Sequence, residues 1–326
     1  MKLKPIFIFA KDETMKKIFA ILLCISATLG FTACGNTAEQ TDDGKISVVA
    51  TIFPEYDFAR AVSGGLADIK MLVSPATEIH SYEPSPQDIV AVQNADLFIY
   101  IGGEGDAWVE KILSAVDTSK MTILKMMDTV SVVEEKIVDG MEGESDSDEI
   151  EYDEHIWTSP KNAITMVNAI CSAMSEIDSE NAETYSANAA AYNAEIQAVD
   201  DEIKQAVDSA SKKMLVFGDR FPFRYFADEF GLSYYAAFPG CSGETDASAA
   251  TIAKLVTRIE ENRLPAVFYV ELSNHAMADS IAAQTGAKAL MLHSCHNVSK
   301  DDFDSGVTYV DLMKNNAESL RQGLPQ

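Results

Sequence analysis

Short apolar runs alternate with longer amphipathic stretches along most of the chain, and their periods assign them. Residues 45–53 read as a buried strand, 54–63 as a helix stopped by Gly64-Gly65, 68–73 as a strand and 86–94 as a helix. A strand at 97–101 ends at Gly102-Gly103, and a helix at 106–116 leads to a strand at 121–126. The scheme returns after residue 213, with strands at 214–217, 233–238, 266–270 and 287–292. Helices at 222–230, 247–261 and 276–285 separate them, and a last helix covers 307–321. Strands alternating with helices predict parallel sheets covered on both faces.

Between the two series, Ser159-Pro160 opens a helix that reaches about residue 177. Tyr185, Ala189, Tyr192, Ile196, Val199, Ile203, Ala206 and Ala210 then recur every three or four residues without a glycine or proline. That stripe predicts a single helix about 40 Å long. The fold class is therefore α/β: two similar βα lobes, 45–178 and 213–326, joined by one long backbone helix within 179–212. Ligands of such a chain belong in the cleft outside the carboxyl ends of the strands. From 134 to 153 the periodicity collapses into an acidic segment, read as a mobile surface loop; collection of cations is the competing, functional reading.

The chain has 326 residues, 47% of them hydrophobic, and a formal net charge of −26. That charge excludes a nucleic-acid partner, because phosphate binding needs a basic face. Met15-Lys16-Lys17, an apolar stretch at 18–30 and Phe31-Thr32-Ala33-Cys34-Gly35 resemble a bacterial lipoprotein signal. The resemblance implies a signal over 1–34 with Met15 as the working start, cleavage before Cys34, acylation of its thiol, and a flexible tether at 35–44. Phe31 departs from the smaller aliphatic residue usual there. Export implies an oxidising compartment. Cys171 falls on the apolar face of a helix, whereas Cys241 and Cys295 both follow strands of one half, which predicts a disulfide between them.

Of the five histidines, His80, His155 and His293 stand at breaks between an apolar or loop segment and a polar one. Neutral imidazole is the commonest side-chain ligand for borderline metals. His275 reads as a solvated or capping residue. The chain shows no phosphate loop, nucleophile elbow or paired carboxylates suited to hydrolysis, so no enzyme is expected.

His80-Ser81-Tyr82-Glu83-Pro84-Ser85-Pro86 together with His155-Ile156-Trp157-Thr158-Ser159-Pro160 is similar to the zinc and manganese solute-binding lipoproteins of bacterial ABC importers. The likeness extends from Lys45 through the final helix. It implies a transition metal buried between two lobes and delivery to a membrane permease, by a monomer tethered to the outer face of the membrane through its lipid. The first two metal-binding histidines carry over to His80 and His155. The last ligand, generally an aspartate after the final strand, falls at His293, with His296 as a substitute or hydrogen-bonding neighbour. Imidazole there favours Zn²⁺ over Mn²⁺ or Fe²⁺. The remaining position holds Arg220, which cannot ligate a cation. Glu244, Asp219, Glu271 and His296 are the candidates to replace it, with Arg220 orienting a carboxylate. Tyr82 is read as a packing and supporting group. A surface adhesin is the alternative role, and a zinc hydrolase a weaker one.

Overall fold

In the computed structural model, which describes residues 44–77, 82–139, 141, 151–240, 242 and 247–326, the alternation resolves into two four-stranded parallel sheets of one topology. The first holds β1 (Ile46–Ala50), β2 (Ala67–Met71), β3 (Leu97–Tyr100) and β4 (Thr122–Lys125) in the order β2-β1-β3-β4. The second holds β5 (Met214–Phe221), β6 (Ser233–Pro239), β7 (Ala266–Tyr269) and β8 (Lys288–Met291) in the order β6-β5-β7-β8. Helices α1 (Phe53–Ser63), α2 (Pro86–Gln93), α3 (Val109–Ala115) and α4 (Pro160–Ile177) accompany the first sheet. After α5 (Ala182–Ser209) come α6 (Arg224–Phe230), α7 (Ala249–Asn262), α8 (Ala276–Thr285), α9 (Lys300–Ser305) and α10 (Tyr309–Gly323).

Local chemistry sets the boundaries. Ser85 closes a capping box with Asp88 ahead of α2, and Ser159 accepts from the Asn162 amide ahead of α4. Gly64 and Gly231 end α1 and α6 in the left-handed region. The 28 residues of α5 bury the expected stripe from Tyr185 to Ala206.

One apolar cluster runs through both halves, from Val48 and Leu97 in the first sheet, through Ile196 and Val199 of α5, to Leu215 and Phe268 in the second. The lobes are thus fused by their core as well as by the helix, and Lys45–Gln326 is a single compact unit. A buried polar knot reinforces the joint. The Asp57 carboxylate of α1 pairs with Arg60 and accepts from the Tyr192 hydroxyl of α5 and, at 2.8 Å, from the Tyr309 amide of α10. Among the described residues no helix is long and apolar enough to cross a membrane.

Two local expectations change. β5 continues to Phe221 instead of stopping at 217, through an irregularity in register between Phe217 and Arg220. Asp219 and Arg220 therefore belong to a strand. Helix α9, started by the Ser299 side chain, has no apolar stripe that would have announced it. The expected signal with Cys34, the tether up to residue 43, and half of the acidic loop (140 and 142–150) lie outside the described residues.

Candidate metal centre

The carboxyl ends of the strands meet in a narrow cleft lined by His155, Arg220, Gly240, Glu271, Ser294 and His296, among others. His155 comes from the first lobe, at the start of the turn Ile156–Thr158, and is fully buried. Asp153 grips it twice, its Oδ1 accepting from the His155 amide at 2.8 Å and lying 3.0 Å from Nδ1. An ionised carboxylate can only accept, so Nδ1 carries the proton and the lone pair stands on Nε2. Burial pushes the imidazole pKa down, but Asp153, with Glu154 and Glu135 behind it, outweighs that and leaves it above the ordinary histidine value. This ring is oriented and made basic, as a metal ligand should be.

The second lobe answers with His296, whose ring centroid is 5.3 Å from that of His155 in an edge-on arrangement. Trp157 lies 4.9 Å from His296 and 5.4 Å from His155, and its indole N–H donates to the Ser294 carbonyl at 2.7 Å. Ser294 is in turn held by Glu271, which accepts from its amide at 2.7 Å and from its hydroxyl. Glu271 thus fixes the backbone of the loop that presents His296. The same loop reaches the first lobe: Asn297 Nδ2 donates to the carbonyls of Ser74 and Thr77 at 3.0 Å, and the Ala76 amide donates to Val298 O at 2.8 Å. These bonds seat the chain immediately before the segment that contains His80.

His293 is placed differently. Its Nδ1 accepts from the Cys295 amide at 2.9 Å, and its own amide and carbonyl are both bonded to the Asn316 side chain at 2.7 Å. The cleft lining includes His296 and Glu271 and not His293, whose Nδ1 lies 3.7 Å from Glu271 Oε2. Cys295, between them, takes a left-handed backbone conformation at φ 61° and buries its side chain in the core. Its thiol is free in the structure; Cys241, the other half of the expected bridge, lies outside the described residues.

Asp219 spends its carboxylate on backbone, accepting from the Arg220 amide at 2.8 Å and the Val270 amide at 3.2 Å. Arg220 does face the cleft, with Nη1 donating to Ser242 O at 3.4 Å. Tyr82 packs edge-on against Trp108 at 5.0 Å and donates to Asp88 at 2.9 Å, which pins the chain just after His80 to α2. His275 caps α8 and pairs with Asp279 at 2.9 Å, in solvent. His80, Glu244 and Cys241 lie outside the described residues. Among the described residues no three histidine, cysteine, aspartate or glutamate side chains converge as a metal-holding group.

Sequence reasoning overlooked the carboxylates that back His155. Asp153 and Glu154 immediately precede it, and that adjacency was the available signal. Glu154 is buried and accepts from the Gly105 amide at 2.8 Å; Asp106 accepts from the Ile101 and Gly102 amides at 2.8 and 3.0 Å. Burial pushes the Asp106 carboxyl up to about 7, against the pull of those amides and with a further push from Glu154.

Residues 48–323 match the family described as zinc-uptake complex component A, periplasmic. The chain belongs to this family. Among its relatives, the zinc-binding lipoprotein AdcA of Streptococcus pneumoniae is 31% identical over 315 residues, covering 96% of this chain and 62% of AdcA. The chain therefore spans less than two thirds of that relative. The high-affinity zinc uptake system protein ZnuA of Bacillus subtilis is 30% identical over 321 residues, covering 94% of this chain and 97% of ZnuA. The zinc-bound ZnuA-like domain of S. pneumoniae AdcA superposes with a TM-score of 0.71 at 29% identity, over 87% of this chain and all of that domain. The two-lobed α/β architecture of this zinc-uptake family is the one described above.

Proposed function

We propose that this protein is an exported, lipid-anchored receptor that captures Zn²⁺ in the interlobe cleft and delivers it to the permease of an ABC importer. The observation that supports it best is the pair of imidazoles, His155 and His296, brought together from opposite lobes at 5.3 Å, one of them backed by a buried aspartate. A nitrogen-rich pair suits zinc better than manganese, which prefers oxygen. His80 and a carboxylate from Glu244 complete the proposed ligand set, and Arg220, which cannot ligate, supports that carboxylate. Binding without turnover is the whole task, and no enzymatic step is assigned. The family match and the zinc-named relatives point the same way.

Competition binding of the metal-free protein against a chelator, with zinc and manganese in parallel, tests the reading. Zinc is expected to bind at least about a hundredfold more tightly. Preference for manganese would refute the choice of ion, and failure to hold either would refute the receptor.

A further inference from the structure

The two chain segments that lead into and out of the acidic loop do not stay with their own lobe. Glu134 and Tyr152 form an antiparallel bridge, the Glu135 amide donates to Glu151 O at 2.9 Å, and the Asp153 amide donates to Val133 O at 3.0 Å. Residues 133–135 and 151–153 are thus zipped into a short ribbon. It lies on the second lobe. The Tyr225 hydroxyl of α6 accepts from the Val133 amide at 3.1 Å and donates to Asp153 O at 2.8 Å. One step along, Glu135 Oε1 accepts from the Gly240 amide at 3.1 Å. Farther out, Asp139 meets Lys254 and Arg258 at 3.4 Å, but these groups are solvated and contribute little.

Gly240 makes this seam functional. A β-carbon there would come within 2.9 Å of His155 Cε1, so the bare glycine backbone of the second lobe forms a wall against the imidazole of the first. The ribbon holds both sides of that contact: its outgoing strand ends in Asp153, which orients His155, and its incoming strand carries Glu135, which grips Gly240. Because the lobes share a core, movement that exposes the cleft is expected at this rim.

We propose that Glu135 is a positioning residue for cation retention, clasping the ribbon of the first lobe to Gly240 of the second so that the wall beside His155 stays closed. The inference rests on the zinc reading. It predicts a specific split: loss of the clasp speeds metal escape and leaves capture unchanged. A residue needed only for folding would lower stability without that split.

The test is stopped-flow release of Zn²⁺ from the loaded full chain into excess EDTA, with capture followed separately. Glu135→Ala is expected to raise the off-rate about tenfold, the range for loss of a hydrogen bond to a carboxylate, with the on-rate within about twofold. Glu135→Gln keeps an acceptor oxygen and is expected within about threefold of the wild type; Asp139→Ala is expected to match it. Should Glu135→Ala not fold, Tyr225→Phe removes the neighbouring tie and is expected to raise the off-rate about threefold. An unchanged off-rate in a folded Glu135→Ala or Tyr225→Phe protein overturns the clasp. So does Glu135→Gln behaving like Glu135→Ala, which would assign the effect to charge. A wild type that holds no zinc overturns the receptor reading, and the clasp with it.

Discussion

The two lobes share a strand order and little else. Both sheets run second, first, third, fourth from edge to edge, yet residues 45–178 carry 25 acidic against 8 basic side chains, whereas residues 213–326 carry 14 against 10. The contrast persists in the interior. The second lobe fills its core with Phe217, Phe221, Phe223, Phe226 and Phe268, and its strand-end acids, Asp219 and Glu271, are engaged by backbone amides. The first lobe buries Glu55, Asp106, Asp153 and Glu154 behind the site, and Glu55 Oε2 has no hydrogen-bond partner. Apolar patterning produced the same sheet twice; the strand-end residues made one copy electronegative, the proposed seat for a cation, and tied the acids of the other to its own backbone.

Removing the seat should have the largest effect. His155→Ala is expected to weaken zinc binding at least a hundredfold and His296→Ala by about tenfold to a hundredfold, whereas His293→Ala should leave affinity within about threefold while costing about 1–3 kcal/mol of stability. Chelator competition reads the first two and thermal unfolding the third. If His293→Ala abolished binding while His296→Ala did not, the division of roles in the second lobe would be reversed. Asp153→Asn should follow, at about ten- to a hundredfold, because an amide can present its NH₂ to Nδ1 and favour the wrong tautomer. Wild-type affinity after that change would show that Asp153 serves packing alone.

How much of this could be read from the chain divides along the same line. Every long periodic segment became the element its period predicted, because burying a stripe or a strand face is a local demand that sequence displays directly. The cleft at the strand ends followed from topology. Which of His293 and His296 lines the cleft did not, since Cys295 between them takes a left-handed backbone that no apolar pattern announces. The end of β5 was hidden because Gly218-Asp219-Arg220 looks like a loop, yet Asp219 satisfies amides that keep the strand in place.

A smaller effect concerns stability and has a definite sign in pH. Asp106 is raised to about 7 in the folded chain, against about 3.9 when unfolded. Between those values the folded state holds more protons, so stability falls as pH rises from about 4 to about 7 and stays low above that. Asp106→Asn keeps an acceptor for the Ile101 and Gly102 amides and removes the charge. It is expected to match the wild type near pH 4 and to be more stable by about 4 kcal/mol at pH 8. Denaturant midpoints at the two pH values measure it. A variant less stable at pH 8 would mean that the ionised form is an asset to the fold.

The smallest effect tests the charge contrast itself. Among the described residues, ten of the first lobe's acids, from Asp68 to Glu176, are exposed at the surface, where interactions are screened beyond about 10 Å at 0.1 M salt and beyond about 3 Å at 1 M. Such a field hastens the approach of a divalent cation without holding it. Raising salt from 0.05 to 0.5 M is therefore expected to slow zinc capture about three- to tenfold while the release rate changes by less than about twofold. The buried carboxylates around His155 lie too close to be screened, so they keep their grip. If release rather than capture followed the salt, surface charge would be stabilising the bound ion directly, and the seat would extend beyond the residues that line the cleft.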